Sequence, residues 1–416
     1  MDAVTTRAHA EALDAADPLA GFRERFVLSG DERIYLDGNS LGRLPRATRE
    51  RLAALVEEWG ERLVSGWPDW IDAPARAGDR LASAVLGARP GEVVVTDSTT
   101  VNLYKLVNAA LDARGAGALV SDRGNFPTDR YVLEGIAAAR GLELHLFATD
   151  PLTGPVADDI AACGPGDVVV LSHVAYRSGT LADLDAITSA ARQTGATLIW
   201  DVSHSVGAVP IDLRAAGAEL AVGCTYKYLN GGPGAPAFLY VAEAAQAELR
   251  SPIWGWFAQS EQFEMDRPYD PVPGVGRFLA GTPPILQLAA VEEGVKLTAE
   301  AGIGRIREKS IALTQLMIEL HDAWLAPLGF SLGTLRDPSL RGSHVSLRHP
   351  DAWPITRTLA DRAGVTPDFR GPDSIRLGVA PLYTRFTEVH DALDRLRGIV
   401  ERGEHDQADA APARVT

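Results

Sequence analysis

Cysteine is nearly absent from this chain of 416 residues; Cys163 and Cys224 are the only two. Two cysteines build neither a disulfide framework nor a metal-ligand cluster, so a reducing cytoplasm is the expected setting and no metal is expected. Basic charge is also scarce: 40 Lys and Arg face 55 Asp and Glu, a net charge of −15. Nucleic acid and anionic membranes both favour a basic face, so neither is expected as a partner. Small substrates stay open, because their sites can be locally basic. No apolar run is long enough to span a bilayer. Residues 1–7 lack the basic-then-apolar order of a signal peptide, so none is expected. Internal repeats and low-complexity linkers are missing too.

What is present is ordinary for a soluble globular protein: 46% hydrophobic and 23% charged residues. The length suits a large core with a smaller one attached. Short apolar runs predict strands over 92–96, 118–121, 142–147, 167–171, 197–201, 220–223 and 237–241. Helical patterns start near Thr100 and Pro127 and cover 184–193. Nearly continuous apolar strands separated by helices indicate a mostly parallel central sheet covered on both faces. After Gly281-Thr282-Pro283-Pro284 the pattern changes. Long helices are predicted over 285–301 and 303–327. Strands follow over 343–348 and 374–379, with helices over 353–363 and 388–402. The first forty residues read as irregular. The expected organisation is an α/β fold: an N-terminal arm (1–45), a large domain (46–284), a smaller C-terminal α+β domain (285–403) and a disordered tail (404–416).

In sheets of this kind ligands sit at the carboxyl ends of strands. Asp201 and Lys227 fall at two such ends. Leu198-Ile199-Trp200-Asp201-Val202-Ser203-His204 carries the carboxylate, and Thr225-Tyr226-Lys227-Tyr228-Leu229-Asn230 carries the amine. No other charge stands between Val222 and Ala242. A lysine in such an apolar setting is a nucleophile suited to bonding a carbonyl. Pyridoxal phosphate (PLP) needs a lysine for its aldehyde and an acid for its pyridine nitrogen, and the pair offers both. Taken singly, Asp201 also fits a helix N-cap, Lys227 a solvated strand end and His204 a core histidine.

Other residues carry two readings each. Thr99 and Thr100 open a helix after a strand, as an anion site or as a plain N-cap. Phe126 in Phe126-Pro127-Thr128-Asp129 stacks on a flat cofactor or staples the helix start. Tyr226 donates to a phosphate or acts as an acid. Arg376, in the apolar run 374–379, needs a partner: a substrate carboxylate or an internal one. Trp254-Gly255-Trp256-Phe257 lines an aromatic pocket or packs in a core or subunit interface.

Together these segments resemble the kynureninases, PLP enzymes of the fold-type I, aminotransferase class V group. The resemblance runs from Tyr35-Leu36-Asp37-Gly38-Asn39-Ser40-Leu41-Gly42 through the segments above to Ile375-Arg376-Leu377 and Ala380-Pro381-Leu382-Tyr383. It implies a PLP-binding large domain and a homodimer with the active site at the subunit interface. It also implies a reaction of tryptophan degradation, hydrolysis of the Cβ–Cγ bond of L-kynurenine or its 3-hydroxy form. The products are anthranilate, or 3-hydroxyanthranilate, and L-alanine. By this resemblance Lys227 bonds the cofactor and carries the Cα proton, and Tyr226 protonates in later steps. Asp201 pairs with the pyridine nitrogen and Phe126 stacks on the ring. Thr99, Thr100, Asp129, His204 and Tyr226 complete the cofactor shell. Trp256 and Thr282 reach the phosphate across the dimer interface, and Arg376, with Asn39 and Ser40, holds the substrate. Thr282 departs from members that have asparagine there, and 67–77 matches less clearly. The rival readings are an aminotransferase or a cysteine desulfurase of the same fold. A desulfurase needs a mobile nucleophilic cysteine, and none follows Cys224.

Overall fold

The computed structural model describes residues 3–28 and 33–407. Its larger sheet has seven strands: β1 (Val93–Val95), β2 (Leu119–Asp122), β3 (Leu144–Phe147), β4 (Val168–Ser172), β5 (Thr197–Asp201), β6 (Leu220–Gly223) and β7 (Phe238–Val241). Their order is β1-β7-β6-β5-β4-β2-β3. Only β7 runs against the rest, pairing antiparallel with both β1 and β6. The sequence reads as nearly unbroken apolar runs because both faces are covered. Val169 and Leu171 enter one core while Val168 and Val170 enter the other. Helices α2 (Arg46–Arg62) and α3 (Ala73–Leu81) precede β1, and helices α4 (Thr99–Arg114), α5 (Pro127–Arg140) and α6 (Leu184–Thr194) follow β1, β2 and β4. Ser98 caps α4, Pro127 opens α5, and Asp183 caps α6 by accepting from the Ala186 amide at 2.9 Å.

The second sheet is antiparallel and four-stranded: β8 (Ser331–Leu332), β9 (His344–Arg348), β10 (Asp368–Arg370) and β11 (Ser374–Gly378), in the order β10-β11-β9-β8. Helices α8 (Ile303–Leu320), α9 (Ala352–Arg362) and α10 (Phe386–Glu401) build its core with Val345, Leu347, Ile375 and Leu377. Helix α7 (Ile285–Ala301) precedes α8 and sends Leu288, Val291 and Val295 into the larger core. Residues near the amino terminus join the smaller core: Ala10, Ile34 and Leu36 are buried in it. Ile34–Tyr35 pairs in parallel with Val365–Thr366. The Asp14 carboxylate accepts from the Phe386 and Thr387 amides at 2.7 and 3.1 Å, capping α10 from outside.

Two expectations need correction. The first forty residues are not wholly irregular, since Arg7–Ala16 is an α-helix (α1). Thr6 caps it, and its apolar positions are mostly alanines, with Ala10 its one buried residue. The helix expected over 303–327 ends as an α-helix at Leu320 and continues as a π-turn, His321–Leu325. Pro327 lacks an amide hydrogen, and its ring clashes with the carbonyl four residues back, so a regular ladder cannot pass through it. Of the tail expected from Glu404, Glu404–Gln407 forms a 3-10 turn, and the remainder lies outside the described residues.

Candidate active site

The carboxyl ends of the parallel strands open onto a cavity of about 510 Å³. Asp201, the last residue of β5, lines it. Lys227 lines it too, but not from a strand end, as β6 stops at Gly223 and the lysine sits in the following turn. That turn is closed by Gly231 N donating to Thr225 O at 2.9 Å and Asn230 N donating to Lys227 O at 3.0 Å. Asn230 takes a positive φ of 55°, which asparagine tolerates. Of the expected residues, Thr99, Thr100, Phe126, Asp129, Asp201, His204, Tyr226, Lys227 and Thr282 all line this one space.

Lys227 is 9% exposed. Its Nζ lies 3.0 Å from His204 Nε2 and 5.9 Å from the ring centres of both Phe126 and Tyr226. Burial pushes His204 well below the usual imidazole range, and the charges of Lys227 and Arg376 push the same way. The imidazole is therefore neutral, with Nε2 placed to hydrogen-bond Lys227 Nζ. Tyr226 is held above the ordinary phenol value by the neighbouring Cys224 thiol and by burial, so it remains a proton donor.

Asp201 accepts from the Ser203 amide at 2.8 Å. Asp129, in the first turn of α5, is fully enclosed beside it. Burial and the Asp201 charge raise the Asp129 carboxyl well above the usual range, against the opposing pull of Lys227. Asp129 Oδ2 and His204 Nδ1 are buried without a hydrogen-bond partner. A carboxyl raised in the fold stabilises it below the ordinary Asp value of about 4 and loses that contribution as pH rises through the raised value. In protein stripped of cofactor, Asp129→Asn is therefore expected to remove a fall in melting temperature seen as pH rises from about 4. Parallel melting curves would overturn this if the variant falls as steeply as the parent.

At the far wall, α4 begins with Thr99 and Thr100, whose first-turn amides have no intrahelical acceptor. The preceding Asp97 has a φ of 48°. Buried Lys105 holds it at 2.5 Å and also donates to Phe278 O at 2.6 Å. Composition and spacing did not single out Ser172, Ser203, Tyr176 or Gln287, which also line the cavity.

Arg376, Asn39, Ser40 and Trp256 stand outside the lining. Arg376 donates to Tyr176 O at 2.7 Å, to Ser40 Oγ at 3.1 Å and to the buried carboxylate of Asp368. With its amide oxygen turned to the guanidinium, Asn39 accepts from Arg376 Nε at 2.8 Å. Trp256 is exposed, beside the Gly281–Thr282 edge: Phe257 N donates to Ala280 O at 3.2 Å.

The residues present fit PLP. Lysine and carboxylates face one space, a helix amino terminus and the Thr99 and Thr100 hydroxyls would meet a phosphate, and Phe126 would offer a ring face. The buried, partnerless Oδ2 of Asp129 marks a polar contact still to be filled. Fold and site define a fold-type I PLP-dependent enzyme of the aminotransferase class V group, and PLP is its cofactor. Residues 76–323 match the family described as Aminotransferase class-V, and residues 306–396 match the Kynureninase C-terminal domain. A Pseudomonas fluorescens kynureninase is 44% identical, covering 97% of this chain and 98% of its own. One from Burkholderia pseudomallei (strain 1106a) is 44% identical over 95% and 96%. The chain belongs to the kynureninase family. Among solved structures, an apo cysteine desulfurase from Thermococcus onnurineus NA1 shares the fold with TM-score 0.80 and 19% identity, over 92% of this chain and 98% of its own. A C-DES mutant with glycine covalently linked to its PLP cofactor has TM-score 0.79 and 19% identity, over 88% and 96%.

Proposed function

We propose that this chain hydrolyses the Cβ–Cγ bond of L-kynurenine, giving anthranilate and L-alanine. The observation that carries the reading is the meeting of Lys227, Asp201 and Asp129 in one cavity, with the start of α4 at its edge. Bound PLP supplies the electron sink that lets substrate bonds at Cα and Cβ break. Lys227 anchors the cofactor and then carries the Cα proton on Nζ, which His204 orients. Asp201 holds the pyridine nitrogen charged, and Asp129 steadies Asp201 by sharing a proton with it. Phe126 covers the ring, and Thr99 and Thr100 take the phosphate. Water adds to the γ-carbonyl, its oxygen leaves with anthranilate, and Tyr226 would deliver the proton that Cβ takes to become the alanine methyl, a role its raised phenol suits. Arg376, steadied by Asn39 and Ser40, receives the substrate carboxylate.

The enzyme acts as a homodimer in the cytoplasm. Trp254, Trp256, Phe263 and Met265 are exposed on the segment whose Phe257 bonds Ala280, near Thr282, and a second copy would cover these apolar side chains. No helix among the described residues is long and apolar enough to cross a membrane. The test is to add kynurenine to the PLP-loaded enzyme. Anthranilate fluorescence should rise with an equal yield of alanine, and the enzyme should sediment at twice the chain mass. Keto acid formed from an amino donor, without anthranilate, would give the site to a transaminase instead.

A further inference from the structure

A second cavity, of about 280 Å³, lies away from the active site, between the amino-terminal segment and α10. Six arginines line it: Arg7, Arg23, Arg33, Arg43, Arg385 and Arg395. Among the described residues, only two carboxylates, Glu388 and Asp391, stand with them. In a chain of net charge −15 this is a strong local reversal of sign.

Not all of these guanidiniums are matched internally. Arg7 pairs with Asp391 and Glu11. Arg23 pairs with Glu388 at 2.8 Å, and Arg385 reaches the same carboxylate at 4.0 Å. Arg395 donates only to the Ala363 carbonyl, at 2.7 Å, and makes no ion pair among the described residues. Arg43 lies against two rings, 5.1 Å from the centre of Tyr35 and 5.5 Å from that of Tyr383. Its Nε is buried without a hydrogen-bond partner, and no described carboxylate pairs with it. Stacking fixes the plane of a guanidinium and leaves its edge free for an oxyanion.

We propose that this cavity binds a small multivalent phosphate-type anion, with Arg43 and Arg395 as its main contacts. Fixed planar forks suit the several oxygens of phosphate groups, and the remaining positive charge of the wall suits more than one negative charge. The site also touches the catalytic machinery through the backbone. Gly42, next to Arg43, donates its amide to Tyr226 O at 2.8 Å. It packs so closely that an added Cβ would lie 2.3 Å from Lys227 O. An anion that orders Arg43 therefore orders a segment pressed against the turn that carries Lys227.

The test uses PLP-loaded enzyme, so that the cofactor's own phosphate site is filled, and pyrophosphate as the probe in isothermal titration calorimetry. Binding of one pyrophosphate per chain is expected, weakening as salt is raised. The double variant Arg43→Gln/Arg395→Gln should weaken it by about tenfold or more, with the visible spectrum of the bound cofactor unchanged. Inorganic phosphate should bind more weakly than pyrophosphate. Absence of binding, or equal affinity in the double variant, would overturn the site. Succinate binding more tightly than pyrophosphate would overturn the phosphate assignment. If the double variant fails to fold, charge reversal at one position, Arg395→Glu, must still weaken pyrophosphate binding, and unchanged affinity there counts against the proposal.

Discussion

Replacing Lys227 by alanine is expected to end anthranilate release, lowering kcat by at least about 10⁴-fold. Two functions are lost together, the covalent hold on the cofactor and the base that carries the Cα proton. Neither neighbour can substitute. His204 reaches the site of the amine, but burial holds it well below the usual imidazole range, so it binds a proton too weakly to carry it, and Tyr226 is held in its protonated form. The fold should survive, because the lysine side chain makes one hydrogen bond, to His204. Cofactor should still bind through Asp201, Phe126 and the start of α4, though without the absorbance of a lysine-bound aldehyde. Lys227→Arg separates charge from chemistry, since it keeps a cation but cannot make the bond. Turnover within tenfold of the parent in either variant would remove Lys227 from the reaction. A variant with unchanged melting temperature and unchanged cofactor content makes the comparison clean.

How legible this site was depends on how local each signal is. Asp201 and Lys227 were readable because a parallel sheet places strand ends on one side, and both residues follow buried apolar runs. The strands themselves were readable because both their faces are apolar. Serines such as Ser172 and Ser203 were not, since a serine after a strand looks the same in a turn and in a binding site. Helix α1 was missed because its apolar positions, Leu13 apart, are alanines, which read as weakly apolar. Arg376 is the instructive case. Its apolar strand announced a buried arginine in need of a partner, but not which one. Asp368 stands directly opposite on β10, a pairing set by the register of two antiparallel strands. Register of that kind is a tertiary fact, and two partner types remained equally open until it was seen.

That pairing makes Arg376→Ala the second variant with a large expected effect, on two observables at once. Arg376 is 1% exposed, and burial lowers its guanidinium from the ordinary value despite the nearby Asp368 charge. Asp368 is fully buried, with Oδ1 lacking any partner. Removing the arginine leaves that carboxylate with Arg370, whose Nε lies 2.8 Å away. Breaking a buried pair from one side costs about 3–5 kcal/mol, and the remaining Arg370 contact should hold the loss near the lower figure. Losing a charge-assisted grip on the substrate carboxylate, worth about 1.5–3 kcal/mol, should raise KM for kynurenine by about 10- to 150-fold. The two effects separate in the double variant Arg376→Ala/Asp368→Ala. Without the stranded carboxylate its stability should recover most of the loss. If Arg376 binds substrate, KM stays high in the double variant. If its work is only to neutralise Asp368, KM returns toward the parent value as stability does, and the substrate carboxylate must be held by another group on the cavity wall.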